Sequence, residues 1–196
     1  MSGCSSMASS CSVPSVISAW YAETVNDSSA ATERVEWIDE HGDVIDVVTR
    51  DRMRRENLRH RSVTVVVKST DGRVLVQRRS DTKDLHPGWW DIGAGGVVGV
   101  GESDDAAAVR ELAEELGVRD VELTPLGDAA FEDEHSRERS RVYLAVSDGP
   151  FEFADGEVAA VRFLTGDELR SMLATVPFLP ACEAAILPLV SGFEPS

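Results

Sequence analysis

Three carboxylates in one short stretch, Glu111, Glu114 and Glu115, are the residues of this chain best able to do chemistry. On a helix of about 3.6 residues per turn, these positions share an arc of about 100°. Val109, Leu112 and Leu116 are expected on the opposite side, where they can pack into a core. Like charges at this spacing repel unless something positive sits among them. A divalent cation that prefers hard oxygen ligands answers the conflict: Mg²⁺, with Mn²⁺ as the alternative. The competing reading is an ordinary solvated acidic helix, with Arg110 paired to Glu114.

The flanks supply the ends such a helix needs. Ser103 suits the N-cap, and Asp104 and Asp105 in the first turn face the positive end of the helix dipole. Gly117 stands where a left-handed residue ends a helix. Upstream, Gly93, Gly95, Gly96, Gly99 and Gly101 read as a loop that lets backbone approach a phosphate or a metal. Arg110 is expected to tie that loop to the helix by pairing with Glu102 or a neighbouring carboxylate.

The run from Gly96 through Glu102 and Arg110-Glu111-Leu112 to Glu114-Glu115 and Gly117-Val118 resembles the Nudix box, G-x5-E-x7-R-E-U-x-E-E-x-G-U with U apolar. Every fixed position of the pattern is filled. The resemblance implies hydrolysis of a diphosphate linkage in a nucleoside diphosphate derivative. It further implies an α/β/α sandwich around a mixed sheet, with Glu111, Glu114 and Glu115 holding the metal. Glu111 and Glu115 are the catalytic candidates. Some members of the family use the first Glu of the motif as the base, here Glu111. Others use a downstream loop, where this chain offers Glu132, Asp133, Glu134 and Glu138.

A second resemblance covers roughly residues 35–118. WIDEHGDVIDVVTRDRMRRENLRHRSVTVVV and LVQRRSDTKDLHPGWWD are similar to the segment ahead of the box in isopentenyl-diphosphate isomerases and their hydrolase relatives. It implies that Arg79 and Lys83 contact a diphosphate, which Gly95 and Gly96 would let approach the backbone. Isomerase chemistry itself is not expected. The positions of the catalytic cysteine and of two metal-binding histidines hold Gly95, Val97 and Met53, leaving His60 as a structural remnant at a strand entrance. Beside the hydrolase reading stand two alternatives, a catalytically silent nucleotide-binding module and, below it, the isomerase.

These residues need elements to position them. Residues 1–32 are rich in Ser and Ala and read as a disordered extension, with a brief helix conceivable over 13–21. The catalytic domain is expected over 33–192. A hairpin is expected from 35–38 and 44–48, then a short helix over 49–57 capped by Thr49. Residues 62–69 and 73–79 read as a second hairpin through Asp71-Gly72. Further strands are expected at 121–131, 141–147 and 158–164, followed by a helix opened by the capping box Thr165 to Glu168. A last helix over 181–190 is interrupted at Pro188. Strands with helices between them give a mixed α/β sheet covered on both faces.

Composition bounds the rest. The 196 residues suit one catalytic domain with an extension, and a net charge of −16 argues against a nucleic-acid partner. The expected partner is a small nucleotide or diphosphate, with a homodimer left open. Cys4, Cys11 and Cys182 form no disulfide framework or zinc spacing, and no apolar run is long enough to span a membrane. With no basic-then-apolar leader at the N-terminus, a cytoplasmic location is expected. Cys182 reads as a small core residue. Trp89 and Trp90 could stack on a base or pack in the core.

Overall fold

The computed structural model describes residues 32–83, 85–154 and 156–190. The expectations for residues 1–31, including the brief helix at 13–21, lie outside them. In chain order the elements are β1 (Arg34–Ile38), β2 (Val44–Thr49), α1 (Arg50–Arg55), β3 (His60–Lys68), β4 (Val74–Arg79), β5 (Trp90–Ile92) and β6 (Ala94–Val97). Then follow α2 (Asp104–Leu116), β7 (Thr124–Glu132), β8 (Arg137–Val146), β9 (Val158–Leu164) and α3 (Gly166–Leu173). A π-helical turn, Cys182–Ile186, and a 3-10 turn, Leu187–Leu189, close the described chain, with Pro188 in the second.

β3 organises the sheet. It runs parallel to β8 over its whole length, His60 opposite Glu138 through Lys68 opposite Val146. On its other side it pairs antiparallel with β6, Ser62 to Val65 against Val97 to Ala94. β7 continues outward from β8, while β4 takes β5 and β9 as neighbours. The sheet is therefore mixed. The turn through Asp71-Gly72 forms as expected, but β3 and β4 share only the rung Lys68 to Val74 before they part. This corrects the expected hairpin: Asp71-Gly72 is a corner, and each strand finds its partners elsewhere.

Alternation along β3 sorts two cores. Val63, Val65 and Val67 pack with Leu112, Leu116 and Tyr143 beneath α2. Val66 turns the other way, joining Val76, Trp90, Ile92, Leu169, Phe178 and Cys182 under α3 and the C-terminal turns. The result is the expected α/β/α sandwich. Cys182 is a core residue, as expected, and of the two alternatives for Trp90 the core is the one observed. Two strand boundaries differ from expectation. β7 starts at Thr124 and β8 at Arg137, so the polar stretch taken for a loop is mostly strand, with only Asp133 to Ser136 turning.

Candidate active site

α2 is capped at both ends as its sequence dictates. Ser103 Oγ accepts from the Ala106 N–H at 3.2 Å, and Gly117 ends the helix at φ +69°. Arg110 fastens it to the preceding strand. Its guanidinium donates to both Glu102 oxygens (3.0 and 2.9 Å), to the Val97 carbonyl (3.2 Å), to Glu111 (2.6 Å) and to Glu114 (3.1 Å). Those bonds hold the Glu102 carboxyl below its usual range, helped by the Gly99 N–H. Arg110 and Glu102 are thus structural, as expected.

Leu112 and Leu116 are buried as expected, but the edges of the buried face differ. Val109 is 54% exposed, whereas Glu115 is 3% exposed and lies among Ala108, Leu112 and Leu116. At about 100° per residue Glu115 stands between Glu111 and Ala108, so the acidic arc and the apolar arc adjoin at this residue. Burial pushes its carboxyl up to about 8, against the opposing Gln77 hydrogen bond and with the nearby Glu111 charge adding to the rise. Gln77 Nε2 (3.0 Å) and the Gly95 N–H (3.2 Å) both donate to Glu115 Oε2. The Glu111 carboxyl is raised too, by burial, although Arg110 works against it.

Gly95 and Gly96 belong to β6 rather than to a loop, and the group that comes close at Gly96 is a side chain of α2. A methyl group built at Gly96 would overlap the Glu111 carboxylate. Glu111 therefore lies directly against the strand backbone. Glu114 is not gathered with the other two: its side chain is 52% exposed and engaged by Arg110. Among the described residues, no group of three or more His, Cys, Asp or Glu side chains is set to hold a metal ion.

The oxygens nonetheless suit a hard cation. Glu115 is a buried carboxylate, the Glu111 side chain is 12% exposed, and Gln77 Oε1 is a buried acceptor with no partner. Acceptors exceed donors here, and the imbalance is of the kind Mg²⁺ resolves.

One cavity of about 950 Å³ opens onto Glu111, while Glu115 and Gln77 lie behind its lining. Glu111, Glu114, Gly95 and Gly96 line it, as do Arg79 and Lys83, the two basic residues expected at a diphosphate. Arg79 Nη2 donates to the Leu85 carbonyl at 3.1 Å, while its Nε is buried without a partner. Lys83 is paired with Glu157. Of the downstream carboxylates, Glu132 is paired with Arg59 and Arg137, and Glu134 is 85% exposed. Asp133 lines the cavity but accepts the backbone N–H groups of His135 and Ser136 at 2.7 Å each. Glu138 also lines it, and burial raises its carboxyl.

Two further residues line the cavity: Asp91, which no sequence motif marked, and His60, expected as a structural remnant. Asp91 on β5 is pushed up to about 6 by burial. His60 is 2% exposed, and its Nδ1 donates to the Leu58 carbonyl at 3.0 Å. Burial, together with the Arg54 and Arg50 charges, lowers His60 to about 4. The one available signal was the alternation of His60, Ser62 and Thr64 within an otherwise Val-rich strand.

Comparison with known proteins agrees with the motif. A NUDIX domain model matches residues 58–182. The chain is 42% identical to the Nudix hydrolase YfcD of Salmonella typhi over 142 residues, 72% of this chain and 77% of that one. It is 37% identical to a Nudix hydrolase of Streptomyces coelicolor over 154 residues, 78% and 85% of the two chains. Among solved structures, the Deinococcus radiodurans protein DR0079 superposes with a TM-score of 0.66 at 26% identity, covering 76% of this chain and 94% of that one. With the box complete, its helix capped at both ends and the domain matched across more than half its length, the chain belongs to the Nudix family of pyrophosphohydrolases.

Proposed function

We propose that the protein cleaves the diphosphate linkage of a nucleoside diphosphate derivative with the help of Mg²⁺. Glu111 and Glu115 would hold the ion, with Glu114 completing the set from its present engagement with Arg110. When bound, the cation supplies positive charge to the diphosphate oxygens and to the phosphate that leaves. The rest falls to the chain's own groups. Arg79 offers a planar fork and Lys83 a point charge to phosphate oxygens, and Gly95 and Gly96 let the substrate approach the strand. Glu111, which lines the cavity beside the strand backbone, takes the proton of the attacking water. The observation that carries the reading is the pairing of buried Glu115 with no cationic partner but only two N–H donors. Such a carboxylate is costly in the folded chain unless a cation joins it.

The resemblance ahead of the box supports a place among the hydrolase relatives of isopentenyl-diphosphate isomerases. A cytoplasmic location goes with that reading. The test uses a panel of nucleoside diphosphate derivatives with Mg²⁺. Wild type should release product from at least one, and Glu115→Gln should lose turnover while keeping its fold. Mg²⁺ should raise the melting temperature of wild type and not of the variant. Unchanged turnover in Glu115→Gln would refute the metal site. Nucleotide binding without turnover by wild type would favour the silent module.

A further inference from the structure

The turn that joins β6 to α2, residues 98–103, has little stiffness of its own. It carries Gly99 and Gly101, the second in the left-handed region at φ +72°. Yet the turn contains Glu102, the carboxylate that fixes Arg110, and Arg110 in turn donates to Glu111 at 2.6 Å. Where Glu111 stands therefore depends on what steadies the turn.

The steadying groups come from β1 and β3. Glu36 on β1 accepts from the Gly101 N–H at 3.2 Å with Oε1 and from Arg61 Nη1 at 3.1 Å with Oε2. Arg61 on β3 aims its other terminal nitrogen, Nη2, at the Glu102 carbonyl (3.2 Å) and at the Asp104 carboxylate in the first turn of α2. The Arg61 carbonyl accepts from the Val98 N–H at 3.0 Å, and Val35 forms a backbone bridge with Gly99. The turn is thus held at its start, its middle and its end. A planar fork is the group that can serve Glu36, Glu102 and Asp104 at once. The Glu36 and Arg61 side chains are 14% and 27% exposed, so water competes little for these bonds.

β1, β2 and α1 precede residues 58–182, where the family model matches. Even so, Val35, Val48 and Met53 of this hairpin and helix form one small core with Val97, the last residue of β6. The hairpin therefore meets the turn through an apolar contact at Val97 and a charged one at Glu36. Neither Glu36 nor Arg61 lies within the Gly96–Val118 motif, and neither lines the cavity, so they do not touch a substrate there.

We propose that Glu36 and Arg61 are positioning residues for hydrolysis. They fix the turn, so that Glu102 and Arg110 set Glu111 against β6. The inference rests on the diphosphate-cleaving reading above and adds a part of the chain that the motif does not contain. Without these bonds a turn with two glycines regains backbone freedom. α2 itself stays on the sheet through Leu112, Leu116 and the Tyr143 hydroxyl, which donates to Asp105 at 2.5 Å. What loosens is the line from Glu102 through Arg110 to Glu111. A misplacement of about 1 Å in such a group costs on the order of a hundred-fold, so even a partial loosening is measurable.

The test compares Glu36→Ala, Glu36→Gln, Arg61→Ala and the double variant Glu36→Ala/Arg61→Ala, each well below its melting temperature. In both single alanine variants kcat should fall about ten-fold or more and half-activation should need about five-fold more Mg²⁺, with KM within about two-fold of wild type. Glu36→Gln keeps an acceptor for the Gly101 N–H and should recover most of kcat. The double variant should be no worse than the poorer single one, because both side chains serve one turn. Amide hydrogen exchange on the metal-free protein reads the turn without turnover. Gly101 and Glu102 should exchange about ten-fold faster or more in Glu36→Ala, while the amides of β8 keep wild-type rates. Unchanged kcat and Mg²⁺ dependence in folded single variants would overturn the proposal, even with a lower melting temperature, because the pair would then serve only the fold. Fully additive losses would overturn it too. If Glu36→Ala does not fold, Glu36→Asp, which keeps the charge and shortens the reach, is read on the same quantities. If wild type hydrolyses no diphosphate, the catalytic reading fails and exchange decides: faster exchange at Gly101 supports the clamp, and unchanged rates overturn it.

Discussion

Gly96→Ala separates the position of Glu111 from the stability of the fold. The backbone at Gly96 does not require glycine, as it is absent from the positive-φ positions. What requires it is space. Glu111 Oε2 lies 2.7 Å from where the new methyl would stand, and the other carboxylate oxygen is nearer still. Ordinary carbon contacts need about 3.5 Å, so the carboxylate must retreat by roughly 1 Å. The yielding atoms are the far end of a side chain, so the fold gives way easily. The loss of unfolded-state freedom on replacing glycine, about 0.4–1 kcal/mol, offsets part of any strain. We expect a melting temperature within about 4 °C of wild type. Catalysis should suffer more, because a misplacement of about 1 Å costs on the order of a hundred-fold, or about 2.7 kcal/mol in the barrier. The assay is a double-mutant cycle on kcat/KM with Glu111→Asp, whose shorter side chain makes room for the methyl. The double variant should be far better than the product of the two single losses. Wild-type activity in Gly96→Ala, or simple additivity in the cycle, would refute the claim that Glu111 works from its seat on β6.

His60 predicts an acid sensitivity. Its folded pKa of about 4 lies below the unfolded 6.5, so the unfolded chain takes up the proton first. The stability contributed by the neutral ring is complete above 6.5 and falls away as pH drops toward 4, by up to about 3 kcal/mol. An imidazole resonance of His60 titrating near 6.5 in the folded protein would contradict this. Arg110→Lys should cost about 1–3 kcal/mol in urea unfolding, at the lower end because the side chain is 32% exposed. A single ammonium cannot span Glu102, Glu111, Glu114 and the Val97 carbonyl together, and a loss below about 0.5 kcal/mol would show that the fork is dispensable.

Local features were legible because near neighbours encode them. The caps Ser103, Thr49 and Gly117, the capping box of Thr165 and Glu168, and the strand 158–164 all form where their residues place them. The attachment of α2 through Arg110 was legible for the same reason, since one helix and its preceding strand contain it, whereas Glu114 stands apart from Glu111 and Glu115. What lay beyond the sequence depends on distant pairing. Arg137, Glu138 and Arg139 look like loop residues, yet they extend β8 because Glu132, Phe131 and Ala130 pair with them. β3 and β4 look like a hairpin, yet β8 claims one strand and β5 with β9 the other. Periodicity set the relative angles of Val109, Leu112 and Glu115, but only the packing of α2 on the sheet decided that Val109 would face water and Glu115 would be buried. The pairing of β3 with β8 is the clearest case. His60 and Glu138 are far apart in the chain, and their shared face follows from a parallel register that no local signal specifies.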